Sequence, residues 1–467
     1  MVPTVTPSLQ PTPSPIAPDI SPGDWSSYLL NNGSFNDVDS NITPATASQL
    51  KLYWTYHAKG AISTQPVEVN GIIYWGSWDG YEQATALDGQ SVWSTYLGRT
   101  SDHDPDCDPS EVGVASTAAV TPVSINGKTT LVVFVGGGDA NFYALDAENG
   151  HVIWKTSLGT SPAHFIWASP TVFRGSVYIG LASFGDCPGI QGELVQMSVS
   201  TGAIQHIFKV VPDGCLGGGV WGSPTVDSDT GDLYIATGNA DTCGTTEAYA
   251  VAVVELRALD LSIEDSWQVP QSDQFEDSDF GDTPTLFKAT IGGVTRSLVG
   301  AINKNGIYYA FLRGALSNGP VWIAEISYVS SACGSCEGPG TFAPSAWDGT
   351  RLYVGGGQTT IKGNSCGGSV RALDPATGHA IWEGCLSVWR VLAPVTVVPG
   401  VVVVAQGEQI FAVNATTGDI LFSFKDTSNS SAFDGGPTIA HGMLYIGNLD
   451  GNLYAFGLDR FDQRPIG

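Results

Sequence analysis

A unit of about 45 residues recurs eight times along this chain, and that repetition constrains the fold more than any other feature. Each copy has a lead-in of small residues and proline, an alternating strand, a Gly-bearing turn and a second strand rich in Val, Ile and Tyr. An Asp-x-x-x-Gly turn and an aromatic residue follow. The turn is plainest in NFYALDAENGHVIW (141–154), RALDPATGHAIW (371–382) and FAVNATTGDILF (411–422). Asp or Asn bonds the backbone two residues on and Gly supplies a positive φ, so this stretch reads as a turn between strands three and four. The Trp or Phe after it reads as a wedge between neighbouring blades. The lead-ins begin at 63, 116, 167, 221, 281, 343, 393 and 435.

No segment sustains a 3.6-residue period, so helix content should be very low. The last copy ends near Phe456 with three strands, and KLYWTY (51–56) supplies the missing fourth. A ring closed in this way leaves no open sheet edge. The fold expected is all-β: an eight-bladed β-propeller of four-stranded antiparallel blades, closed by an N-terminal strand. Residues 1–24 read as a Pro/Thr/Ser-rich linker, 25–460 as one propeller and 461–467 as a tail. In such a ring, chemistry is sought where copies depart from one another, around the axis.

Composition narrows the function classes. Lys and Arg number 19 against 45 Asp and Glu, a net charge of −26. Phosphate contacts need clustered basic residues, so nucleic acid and anionic membranes are excluded as partners. Acidity also keeps an exported protein soluble. No apolar run is long enough to span a bilayer. The opening MVPTVTPSLQ has neither the charged nor the apolar part of an export signal, and such a tail often follows a signal or lipid anchor that has been removed. The eight cysteines are even in number and favour disulfides in an extracytoplasmic location. Cys366 and Cys385 fall in one repeat, within reach of neighbouring strands, and Cys187, Cys215 and Cys243 fall in consecutive loops. Cys333-Gly-Ser-Cys336 is a lone CxxC followed by Glu337, which fits neither a tetrahedral zinc site nor a covalent haem.

Four stretches break the repeat. GGGVWGSP (217–224) puts Trp221 at a lead-in, where an indole suits a flat ligand. ATGNADTC (236–243) puts Asn239 where other copies carry small residues, and an amide oxygen suits a hard cation. EDSDFGDTP (276–284) holds Glu276, Asp277, Asp279 and Asp282, which repel one another beside a channel unless a cation or proton intervenes. AINKNGIYYAF (301–311) carries Lys304, one of few lysines, suited to pairing with those acids or polarising a carbonyl oxygen. Taken singly, each has a plain alternative: packing, a turn, a solvated acidic loop, a surface lysine.

Together, in this order, the four stretches resemble the pyrroloquinoline quinone (PQQ)-dependent alcohol dehydrogenases, and within them the polyvinyl-alcohol-dehydrogenase-like branch. The resemblance runs over about residues 25–457. It implies that Trp221 stacks on the quinone, that Asn239 binds calcium, that Asp279 is the catalytic base and a calcium ligand, and that Lys304 contacts the quinone oxygens. CLSVWRVLAPVTVVPGVVVVAQG (385–407) resembles a late-blade segment of that branch. Asp186 is the candidate for the family's acidic calcium ligand, and Cys107 stands where the family places thiols over the quinone. The implied activity is oxidation of a small or polymeric alcohol, with electrons passed to a separate acceptor because no haem motif is present.

The sequence also departs from the family. Asp106 precedes Cys107, so no vicinal disulfide can form there. Val112 stands where the family has an Arg, and Trp167-Ala168-Ser169-Pro170 replaces a Thr-x-Ala-Pro quinone contact. These departures favour a second reading, a cofactor-free propeller serving as a protein-interaction scaffold. A third, a polysaccharide-binding module, rests on exposed aromatics alone.

Overall fold

The computed structural model describes residues 19–30, 32–38, 41–102, 109–186, 188–243, 247–275, 277–328, 340–428 and 431–458. Cys107, Cys187, Cys333, Cys336 and Glu276, all singled out above, lie outside the described residues.

Eight antiparallel sheets are arranged as a ring, each with four blade strands, and the third carries a short fifth, His164–Phe165, beside its second strand. Blade 1 is built from Val67–Val69, Ile72–Gly76, Tyr81–Ala86 and Ser91–Tyr96. Blades 2 to 7 follow in chain order with first strands at Ala119–Ile125, Thr171–Phe173, Thr225–Val226, Thr285–Ile291, Ala346–Trp347 and Thr396–Val398. Blade 8 has three late strands, Thr438–Ala440, Met443–Gly447 and Asn452–Gly457. Its fourth is Lys51–His57, which pairs antiparallel with Asn452–Gly457. The expected closure is therefore observed. Three 3-10 turns of three residues are the only helical elements among the described residues.

The core lies between blades rather than within any one. Tyr353, Val370 and Ala372 of blade 6 form one buried cluster with Val397, Val402, Val404 and Phe411 of blade 7. This explains why second strands such as Val401–Gln406 are buried along their whole length, while the outer strand Ile420–Lys425 alternates with solvent. The Gly that ends the second strand of many copies is required by close approach. A Cβ on Gly76 would stand 2.3 Å from Val114, and one on Gly136 would stand 2.4 Å from Ile166.

Two repeated motifs fasten the ring. Outer-strand tryptophans cover the next blade's turn: the Trp93 indole N–H donates to the Ala147 carbonyl (2.9 Å), and that of Trp382 to Ala415 (3.0 Å). Near the axis, the lead-in hydroxyls form a belt. Thr117 N–H donates to Ser169 Oγ (3.0 Å), Ser169 N–H to Ser223 Oγ (2.8 Å), and Ser223 N–H to Thr283 Oγ1 (3.0 Å). The Ser/Thr-Pro-Thr signature at 169–171, 223–225 and 283–285 is thus a structural joint, and it holds the axial residues at fixed spacing.

Disulfides join Cys215 to Cys243 and Cys366 to Cys385. The second ties the hairpin strand Asn364–Cys366 to the outer strand Ala380–Leu386. No helix among the described residues is long and apolar enough to cross a membrane.

Candidate active site

Each blade offers two segments to the axis, its lead-in and the turn after its second strand. Trp221 lies on the lead-in of blade 4, and Asn239 follows the second strand of that blade, Asp232–Ala236. Asp277 and Asp279 lie just ahead of the lead-in of blade 5, while Lys304 follows its second strand, Val294–Ile302. Asp186 follows the second strand of blade 3, Ser176–Ser183. All but Asp277 line one cavity of about 390 Å³, and Asp277 pairs with Lys304 at its wall.

Asp279 is the hub of this constellation. One carboxylate oxygen accepts the Asn239 backbone N–H (2.7 Å) and the other faces Lys304 Nζ (3.2 Å). The Lys304 backbone N–H in turn donates to the Asp279 carbonyl (3.0 Å). Lys304 Nζ also donates to Asp277 Oδ1 (2.7 Å) and stands 5.1 Å from the centroid of the Trp221 ring. Burial works against charge on Lys304, but the Asp279 and Asp277 carboxylates outweigh it and hold the ammonium protonated well above the ordinary lysine range.

Trp221 is fixed from two directions. Phe342 meets it edge-on, with ring centroids 5.1 Å apart at 72°. Gly281 lies against the indole so closely that a Cβ there would stand 1.8 Å from Trp221. Trp78, Trp167 and Phe184 add further aromatic wall; the Trp167 and Phe184 rings are near-parallel with centroids 6.4 Å apart. The Trp167 indole N–H is satisfied by the Ser183 carbonyl at 3.1 Å.

The electrostatics are lopsided. Asp186, Asp241, Asp279 and Asp434 line the cavity, and Lys304 is its one lysine or arginine among the described residues. Asp241 was not singled out from the sequence, although it lies two residues past Asn239 in a quoted stretch. Its carboxyl is pushed up to about 6 by burial and then by the charges of Asp186 and Asp279. Asp282, by contrast, does not line the cavity. It is fully buried and accepts the Ile302 N–H at 2.7 Å, and burial raises its carboxyl well above the usual range. Trp78, Phe342 and Asp434 were also missed; none breaks the repeat in a way that marks it.

The family whose repeat profile is described as outer membrane protein assembly factor BamB matches residues 84–246 and 317–462. This chain belongs to that PQQ-repeat propeller family. Polyvinylalcohol dehydrogenase of Sphingopyxis sp. (strain 113P3) is 26% identical over 511 residues, covering 94% of this chain and 74% of the relative. Quinohemoprotein alcohol dehydrogenase from Comamonas testosteroni superposes with a TM-score of 0.73 at 18% identity, covering 93% of this chain and 80% of that one. A europium-containing methanol dehydrogenase superposes with a TM-score of 0.77 at 17% identity, covering 94% and 98%. At such identities the two structures establish the shared propeller fold of this PQQ-repeat protein. Its homologues include polyvinyl alcohol dehydrogenases and quinohemoprotein alcohol dehydrogenases.

The residues present fit a flat anionic quinone only in company with a cation. Trp221, kept clear by Gly281, offers an aromatic face, and the cavity is within the range of small-ligand pockets. The carboxylate and amide oxygens suit a hard divalent ion, which takes oxygen ligands. With one ammonium against four lining carboxylates, a bridging cation is what reconciles an anionic ligand with this wall.

Proposed function

We propose that this propeller is a quinoprotein dehydrogenase that oxidises an alcohol using pyrroloquinoline quinone and calcium. The observation that carries the reading is the convergence of Trp221, Asn239, Asp279 and Lys304, four departures from the repeat, on a single axial cavity. Calcium would be held by Asn239, Asp279 and Asp186, and Trp221 would present its ring to the quinone. When bound, the quinone supplies a hydride acceptor and calcium supplies a Lewis acid for its carbonyl.

The chain's own residues carry the proton chemistry. Asp279 takes the proton of the alcohol hydroxyl, since its carboxylate is the one already fixed in place by the Asn239 N–H and Lys304. Lys304, held cationic, stabilises negative charge on an oxygen brought beside it. Asp241 is a nearby carboxylate available for cation binding. The substrate class we infer is an alcohol of small or polymeric size, a secondary polymeric alcohol being suggested by the polyvinylalcohol dehydrogenase relative. Electrons leave to a separate acceptor, and the two disulfides support an extracytoplasmic location.

The second reading, a cofactor-free scaffold, is favoured by the description of the matching family and by a Lys304–Asp277–Asp279 network that is satisfied as it stands. Loading the pure protein with the quinone and calcium, then supplying polyvinyl alcohol and simple secondary alcohols with an artificial electron dye, separates the two. Alcohol-dependent dye reduction supports the enzyme; a protein that takes up no quinone is a scaffold.

A further inference from the structure

Away from the axis, three side chains meet where the two ends of the ring come together. Asp24 lies on the N-terminal segment, Glu68 on the first strand of blade 1, and His441 in the turn between the first two strands of blade 8. The Trp25 and Glu68 backbones bond each other in both directions, at 2.8 and 2.9 Å, so Asp24 is brought beside Glu68 by main chain.

Both carboxylates are buried, Glu68 at 1% exposure and Asp24 at 4%. In each, one oxygen is held by backbone. Asp24 Oδ2 accepts the Ser21 N–H (2.8 Å) and the Asn70 N–H (3.3 Å), and Glu68 Oε1 accepts the Gly71 N–H (2.6 Å). The remaining oxygens converge on His441 Nε2, Asp24 Oδ1 at 2.8 Å and Glu68 Oε2 at 3.5 Å. Glu68 Oε2 is buried and accepts no hydrogen bond among the described residues. The three donor atoms all lie within 4.8 Å of one another.

We propose that Asp24, Glu68 and His441 form a site for a divalent transition-metal ion of the zinc type, which staples the N-terminal segment, the first blade and the last blade at the closure of the ring. One imidazole nitrogen and two carboxylate oxygens make a zinc-type donor set, whereas calcium wants six to eight oxygens. Donors about 2.1 Å from a tetrahedral ion stand about 3.4 Å apart, close to the spacing seen. The backbone N–H groups on the outer oxygens fix the carboxylates as outer-shell partners do at metal centres. The His441 side chain is 41% exposed, so the ion has a path in and water can fill the fourth position.

The test is a calorimetric titration of the chelator-treated full chain with Zn²⁺ alone, together with thermal melts. The expected result is one tight zinc per chain and a higher Tm on binding. His441→Asn, which tolerates the left-handed backbone at φ 51°, should weaken zinc at least about tenfold to a hundredfold. Glu68→Gln should do the same. Asp279→Ala should keep the tight zinc, which separates this site from the axial one. Zinc affinity equal in wild type and His441→Asn, or no tight zinc in wild type, overturns the proposal and leaves an imidazole paired with two carboxylates.

Discussion

The Asp279 carboxylate is shared between two neighbours of opposite kind: Lys304 Nζ at 3.2 Å on one oxygen and the Asn239 backbone N–H at 2.7 Å on the other. A cation and a main-chain donor therefore fix the one group proposed to receive a proton, and both come from segments that break the repeat.

Removing the ammonium exposes the cost of that arrangement. Lys304→Met leaves Asp277 and Asp279 facing each other partly buried, and should destabilise the protein by about 3 kcal/mol. Added calcium should recover much of the loss by replacing the missing positive charge. Urea unfolding with and without calcium checks this; an equal loss in both conditions would count against a cation site beside Asp279.

Gly281 should be intolerant of any side chain. In Gly281→Ala the new methyl must displace the Trp221 indole, at a cost of about 1–3 kcal/mol for overpacking. Quinone affinity should fall by tenfold or more while far-ultraviolet circular dichroism stays the same. Unchanged affinity would mean that Trp221 does not carry the cofactor.

The propeller was legible in the sequence because its repeating glycines and tryptophans are joints: Gly136 admits Ile166, and Trp93 covers the turn at Ala147. The site was legible only where a blade broke the pattern. The acidic run 276–284 shows the limit. Asp277 and Asp279 both reach Lys304, as residues two apart on extended chain share a side, but Asp282 is three further on from Asp279 and turns into the core. Counting carboxylates overstated the charge at the axis from this segment. Asp241 went unrecognised for the opposite reason, since only the fold brings it near Asp186 and Asp279.

The Cys215–Cys243 bridge closes the loops that carry Asn239 and Asp241. Its sequence separation of 28 corresponds to about 3–4 kcal/mol of stabilisation in the chain-entropy treatment. Replacing both cysteines by serine should lower Tm and also weaken calcium binding. A melt with a calcium titration reads both; a lower Tm with unchanged calcium affinity would uncouple the bridge from the site.

Stability should fall with rising pH because of Glu82. This residue is fully buried, neither carboxyl oxygen has a hydrogen-bond partner among the described residues, and burial holds its pKa well above the ordinary 4.5. Above 4.5 the unfolded chain releases that proton while the folded chain keeps it. Each pH unit up to the folded value therefore costs up to about 1.4 kcal/mol from this group. Glu82→Gln should flatten the slope and raise stability at neutral pH, as measured by urea unfolding between pH 5 and pH 8 (about 1.4 kcal/mol per unit at most). An unchanged slope would place the ionisation elsewhere.

In the proposed function the axial cavity binds quinone on Trp221 and uses Asp279 as a base. An absorbance titration of pyrroloquinoline quinone in the presence of calcium, followed by dye-linked alcohol oxidation on the same samples, tests both halves. Wild type should bind one quinone and turn over, and Trp221→Ala should lose the binding. With calcium and quinone both at saturation, so that the loss of one calcium ligand is offset, Asp279→Ala should still bind quinone but lose about 10²–10⁴-fold in rate. Wild type that binds no quinone, or Asp279→Ala that turns over at the full rate, would contradict the account.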